Sequence, residues 1–145
     1  MKLQQLSVFL ENKAGALTAP CKALAAAGID IVTLSLADTQ QFGILRLIVK
    51  EPAKAKAVLE KAGSVVKTTD VVAIEVADRP GGLAEVLEAI EGGNLNIEYM
   101  YAFTFRRGGG DKAVLVFRFD APDQAIRLLQ SKGISVVGSG ELAQK

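Results

Sequence analysis

Two short segments of the chain hold the residues best placed for chemistry. Glu11-Asn12-Lys13-Ala14-Gly15-Ala16-Leu17 and Ala77-Asp78-Arg79-Pro80-Gly81-Gly82-Leu83 each set an amide or carboxylate oxygen three residues ahead of a glycine. A glycine lets backbone approach a ligand closely, and the unpaired amides that open a helix behind it favour a carboxylate. Further on, Asp30-Ile31 and Asn96-Ile97 each place a second polar oxygen beside an isoleucine. The side-chain oxygens of Asn12, Asp30, Asp78 and Asn96 can accept hydrogen bonds from an ammonium group. These residue types suit a small molecule that carries both a carboxylate and an ammonium.

Other chemistries lack their parts. The chain has no histidine, which removes the commonest metal ligand and general base. Its single cysteine, Cys21, has no partner for an internal disulfide. Cys21 aligns with Leu87 on a helical apolar stripe, where a packed, inert thiol is expected. No phosphate-binding Gly-Lys motif, metal cluster or nucleophile-and-base pair can be assembled, so neither catalysis nor a cofactor is expected. Seventeen basic residues against sixteen acidic ones give a net charge of +1, which offers no field to draw in nucleic acid or anionic lipid. No apolar run approaches the roughly twenty residues of a membrane span. Met1 to Leu10 reads as an alternating strand rather than a leader, and a cytoplasmic protein is expected.

The two segments recur because the chain repeats itself. Shifted by 66 residues, Leu6 to Leu10 falls on Val72 to Val76, Gly15 on Gly81, Leu17 on Leu83, Ala23 on Ala89, Ile29 on Leu95 and Ile31 on Ile97. After a four-residue insertion near Arg106-Arg107-Gly108-Gly109-Gly110 the shift becomes 70, pairing Pro52 with Pro122, Ala55 with Ala125, Leu59 with Leu129 and Gly63 with Gly133. Two modules follow, residues 1–69 and 70–145.

Each copy reads the same way. Leu6, Val8 and Leu10, like Val72, Ile74 and Val76, alternate as a strand with one buried face. Leu17, Pro20, Cys21 and Leu24 match Leu83, Val86, Leu87 and Ile90 at the spacing of one helical stripe. Pro20 is tolerated if the helix begins near Ala16 or Leu17. Gly28 in one copy and Gly92-Gly93 in the other supply the left-handed stop. Second strands are expected over Ile29 to Ala37 and Leu95 to Phe105, and third strands over Gly43 to Val49 and Ala113 to Phe119, with Gln40-Gln41 and the glycine run as hairpin loops. Pro52 and Pro122 open second helices that Gly63 and Gly133 end. Fourth strands are expected at Val65 to Lys67 and Ile134 to Val137, with only Thr68-Thr69-Asp70 as a link between copies. The outcome is an α+β fold of two ferredoxin-like βαββαβ modules in tandem, antiparallel sheets side by side with helices on one face.

Two features invite rival readings. Tyr99, Tyr101, Phe103 and Phe105 share a strand face, as in sheets that stack RNA bases. The first copy has Thr33, Ser35 and Ala37 there, and no basic surface accompanies the aromatics, so burial against a partner sheet or second subunit is expected. Arg106 and Arg107 suit a phosphate, yet they flank a glycine-rich tip that reads as a solvated loop.

The glycine loops, with Gly28-Ile29-Asp30-Ile31 and Asn94-Leu95-Asn96-Ile97 opening the second strands, resemble the ACT domain, a regulatory module attached to many amino-acid biosynthetic enzymes. The resemblance covers both halves. It implies a non-catalytic sensor that binds an amino acid or similar small metabolite between paired modules. The residues it implicates are Asn12, Gly15, Ala16, Leu17, Asp30 and Ile31 in one copy and Asp78, Gly81, Gly82, Leu83, Asn96 and Ile97 in the other. A pseudo-twofold arrangement would join Asn12 to Asn96 at one seam and Asp78 to Asp30 at the other. Two carboxylates repel unless a cation lies between them, which favours the Asn12/Asn96 seam. A homodimer is expected. The resemblance also admits a regulatory interaction subunit of a biosynthetic enzyme, like the small subunits of acetolactate synthase. An acylphosphatase-like enzyme of the same plan would need an anion-cradling arginine in the first loop, and Lys13 and Arg79 suit that poorly. A glycine there also serves the turn alone, and Asn12 and Asp78 also suit capping.

Overall fold

The computed structural model describes residues 2–104 and 112–142. The first elements are Leu3–Glu11 (β1), Thr18–Ala26 (α1), Ile31–Asp38 (β2), Phe42–Val49 (β3), Pro52–Lys61 (α2) and Val65–Ala77 (β4). Gly82–Glu91 (α3), Ile97–Thr104 (β5), Lys112–Phe119 (β6), Pro122–Ser131 (α4), Val136–Val137 (β7) and Ser139–Leu142 (α5) follow. The chain divides into two compact units, residues 4–69 and residues 70–145 with 1–3. Each is an α+β unit of the expected ferredoxin-like plan. Strand order is β2-β3-β1-β4 in the first and β7-β4-β6-β5 in the second.

Alternation decides which residues each sheet buries. In the first unit Leu6 and Val8 of β1 lie opposite Leu47 and Leu45 of β3, and all four are fully buried with Leu24 of α1 and Leu59 of α2. In the second, Val72 and Ile74 of β4 lie opposite Phe117 and Leu115 of β6 and pack with Ile90 of α3 and Leu129 of α4. These seats correspond one for one under the repeat. Leu45/Leu115 and Leu59/Leu129 are identical while the other four seats carry different apolar side chains, and the second copy adds a stacked pair, Phe117 and Phe119, with centroids 5.2 Å apart. Burying one such side chain stabilises the fold by about 1.5–3 kcal/mol, so the shared seats account for two copies of one plan.

The helix stripes are narrower than the spacing predicts. Pro20, Leu24, Val86 and Ile90 are buried, but Leu17, Leu83 and Leu87 are 39%, 40% and 37% exposed. Cys21, aligned with Leu87, is accordingly half-buried rather than fully packed. The helix of the first copy starts at Thr18, just past the expected start near Ala16 or Leu17. The link expected at Thr68-Thr69-Asp70 is absent: β4 runs unbroken for 13 residues. That stretch has no glycine or proline, and its threonines favour extended backbone.

Two other boundaries move. The second strands begin at Ile31 and Ile97 rather than two residues earlier; in the first copy the Ile29 amide donates to the Leu24 carbonyl and stays tied to the end of α1. Both strands carry an irregularity at the same repeat position, Ile31/Thr33 and Ile97/Tyr99. The fourth strand of the second copy shrinks from Ile134–Val137 to Val136–Val137. Here the Ile134 amide donates to the Leu129 carbonyl at 3.0 Å and closes α4, and the chain first pairs with β4 at Val136. The expected Arg106 to Gly110 loop and Phe105 lie outside the described residues. Tyr99, Tyr101 and Phe103 are each half-buried.

The left-handed stops hold at Gly28, Gly63 and Gly133, with φ of +68°, +95° and +75°. After α3, however, Gly92 has φ −78° and the left-handed residue is Asn94, at +54°. Asn94 is the repeat partner of Gly28. Gly93 serves packing instead, since a Cβ there would meet the Leu128 side chain. Asparagine enters the left-handed region more readily than other non-glycine residues. We expect Asn94→Ala to lower stability by about 1 kcal/mol and Asn94→Gly to leave it unchanged or slightly higher, read as urea unfolding midpoints.

Candidate functional site

The two glycine loops share one backbone design. The Lys13 amide donates to the Glu11 carbonyl at 2.9 Å and the Ala16 amide to the Lys13 carbonyl at 3.3 Å. Sixty-six residues on, Arg79 donates to Ala77 and Gly82 to Arg79, both at 3.0 Å. Gly15 and Gly81 sit at φ +85° and +91°. A left-handed turn reverses the chain in a few residues and aims the helix back over its own strand, at a cost of about 1–2 kcal/mol for a side-chain-bearing residue. The amides that open each helix have no intrahelical acceptor, which suits a carboxylate.

The loops differ where the helices start. In the second copy the Gly81 carbonyl accepts the Glu85 amide, an α-helical bond, and α3 begins at Gly82. Gly82 is buried, and a Cβ there would meet the Ala77 carbonyl. In the first copy the partner position is Ala16, the Gly15 carbonyl accepts the nearer Thr18 amide, and α1 begins two repeat positions later.

The polar candidates are exposed: Asn12, Asp78, Asp30 and Asn96 all stand at the surface. Asn12 caps the neighbouring hairpin rather than its helix. Its Nδ2 donates to the Gln40 carbonyl at 2.9 Å, and its own amide donates to the Gln41 carbonyl at 2.9 Å. A carbonyl only accepts, so this contact fixes which end of the side chain is the nitrogen and leaves Oδ1 to accept from a ligand. Gln40, at φ +66°, gives no sequence signal of this role. Asp78 has no side-chain N–H with which to make the same bond.

The second-strand opening of the second copy is also anchored. The Asn96 amide donates to Asp120 Oδ1 at 3.0 Å, and the Asp120 amide donates back to the Asn96 carbonyl at 3.1 Å. This reciprocal clamp holds the backbone while the Asn96 side chain stays exposed. Asp120 was not among the sequence candidates; an acid at the end of a strand just ahead of Ala121-Pro122 is the only hint. Arg79 is held by Glu85 at 2.7 Å, across the mouth of the second loop. Ile31 and Ile97 are half-buried beneath their polar neighbours.

In the second unit the structure keeps loop and strand opening apart. Asn96 and Ile97 line a shallow cleft of about 620 Å³ with Leu87 and Glu88 of α3. Gly82 lines a different cleft, and Asp78, Gly81 and Leu83 line neither. Among the described residues no group of three or more Cys, Asp or Glu could hold a metal, and no helix is long and apolar enough to cross a membrane.

The duplicated loop on a duplicated ferredoxin-like plan agrees with comparison to known families. The model of the ACT domain pair matches residues 1–145. The chain belongs to the ACT domain pair family. Its ACT modules are therefore regulatory domains of an amino-acid-binding class, not catalytic ones. Among solved structures, protein BT0572 from Bacteroides thetaiotaomicron is 38% identical, with a TM-score of 0.91 over 98% of this chain and 96% of that one. The ligand-free regulatory subunit of aspartate kinase from Thermus thermophilus is 16% identical, with a TM-score of 0.64 over 88% and 91%. Aspartate kinase from Clostridium acetobutylicum is 14% identical, with a TM-score of 0.56 over 90% of this chain and 32% of that one. The last two likenesses concern the fold alone. No curated protein matches.

The contrast at Ala16 and Gly82 is testable. Gly82→Ala is expected to cost about 1–3 kcal/mol, as an overpacked site does, and to strip amide-exchange protection from the first turn of α3. Ala16→Gly should change stability by about 1 kcal/mol or less.

Proposed function

We propose that this ACT pair is a non-catalytic sensor that binds an amino acid or similar small metabolite through its glycine loops and second-strand openings. The observation that carries the reading is the loop itself: one left-handed glycine turn with one hydrogen-bond pattern, present twice. The opening amides suit the carboxylate, and the oxygens of Asn12 and Asn96 suit the ammonium. That Asn96 and Gly82 line separate clefts within one unit supports a ligand shared by paired modules. The choice of Asn12 with Asn96, over Asp78 with Asp30, rests on the repeat alignment and on charge repulsion. On this reading residues 1–69 and 70–145 are the paired modules, and the working protein is a cytoplasmic homodimer. A ligand that prefers one arrangement of the modules shifts the population toward it, and a downstream partner reads the shift.

The fold likeness to the Thermus thermophilus regulatory subunit of aspartate kinase favours a second reading, a regulatory subunit docked on a biosynthetic enzyme. Both readings are separated by a thermal-shift screen of the twenty amino acids on the wild type and on Asn12→Ala/Asn96→Ala. A ligand at about 100 times its dissociation constant adds roughly 2.7 kcal/mol, a rise of roughly 5–10 °C for a chain of this size. We expect at least one amino acid to give that rise and the double variant to lose it. A flat profile, with an enzyme co-purifying in stoichiometric amount, would establish the second reading instead.

A further inference from the structure

A cleft of about 560 Å³ opens in the second unit between the end of β4, the flank of α3 and the turn from α4 to β7. It exists because β7 is short. Past the Val136 pairing, β4 makes one more bond on that side, from the Glu75 amide to the Ser135 carbonyl at 3.0 Å. The chain then turns back to α4, and Val76 and Ala77 have no strand beside them there among the described residues. Backbone amides two apart on a strand point the same way, so the Ala77 N–H faces this opening as that of Glu75 does. The volume lies within the range of small-molecule sites, about 300–1,000 Å³.

The lining combines both charges with an apolar wall. Val86, Ala89 and Ile134 supply the wall, and Glu75, Glu85, Lys112 and Lys132 the charges. The repeat acts as an internal control. At the four charged positions the first copy has Phe9, Ala19, Phe42 and Ala62, with no charge among them. That copy fills the same core seats and forms the same loop, so the module does not need these charges to fold. The acids are already engaged, Glu75 with Lys112 at 2.8 Å and Glu85 with Arg79 at 2.7 Å. The Arg79–Glu85 contact is largely exposed while Glu75 is half-buried, and a carboxylate has lone pairs for further donors.

We propose that this cleft is a separate binding site for an α-amino acid, contained within the second module. The carboxylate lies by Lys132 and the Ala77 N–H, the ammonium by Glu85, and the side chain against Val86, Ala89 and Ile134. The proposal rests on the amino-acid reading above but not on its seam. Of the residues assigned to that seam only Gly82 lines the cleft.

Calorimetry with each of the twenty L-amino acids tests it on the wild type and two variants. Glu85→Ala/Lys132→Ala installs the residues that the first copy already carries at these positions, and Asn12→Ala/Asn96→Ala removes the polar oxygens of the seam. We expect a binding amino acid to lose at least tenfold in affinity at one class of site in the first variant and to retain that class in the second. Binding untouched by Glu85→Ala/Lys132→Ala overturns the cleft and leaves the seam standing. No binding of any amino acid overturns both. A readout free of any variant is the NMR spectrum of the wild type: methyl signals of Val86, Ala89 and Ile134 must move with added amino acid, and static signals refute the site.

Discussion

The left-handed glycine between first strand and first helix is the constraint on which each copy depends. At Glu11 and Ala77 the strands are still paired with β3 and β6. The chain must therefore reverse within a few residues if the helix is to cover the face from which Leu6 and Val8, or Val72 and Ile74, project. Only φ near +85° or +91° achieves this here, at Gly15 and Gly81. Without the reversal Leu24 and Ile90 leave their seats and the sheet face loses its cover. The cost of making a tight turn is thus tied to several buried side chains, each contributing about 1.5–3 kcal/mol. The same turn supplies acceptors for the first helix amides, from Gly15 to Thr18 and from Arg79 to Gly82.

Most of this plan was legible in the residues. Alternation marked the strands, glycine and proline marked the ends of the second helices, and the repeat showed that every element must occur twice. Failures arose where a local signal was weighed without its repeat partner or its tertiary bond. Gly92-Gly93 looked like the stop after α3, yet alignment with Gly28 already pointed to Asn94. The hydrophobicity of Ile29 fits a strand, while its amide is held by α1. β7 is shorter than the fourth strand of the first copy although both follow the same helix-closing bond, Ser64 to Leu59 and Ile134 to Leu129, so no pattern of types marks the difference.

The site was legible only in part. Residue types and spacing located the loops and strand openings, because a glycine beside a polar oxygen is visible in one dimension. The anchors were not. Gln40 holds Asn12 through a carbonyl, which every residue has, and Asp120 clamps Asn96 from 24 positions away. Partners that act through backbone groups leave little trace in side-chain identity.

A duplicated fold separates what folding requires from what it does not. Leu45 and Leu115, Ala55 and Ala125, and Leu59 and Leu129 occupy paired seats and are the same in both copies; they belong to the core. Asn12 against Asp78 is a different kind of change, since both stand exposed on the same turn. Asn12 donates to a hairpin carbonyl and still offers an oxygen, whereas a carboxylate at the same position brings a full negative charge and no donor. The two loops therefore present unequal fields to one ligand: beside Asp78 the approach of a carboxylate to the helix-opening amides is opposed, and beside Asn12 it is not. The seam proposed through Asn12 follows from that difference in charge at one repeat position.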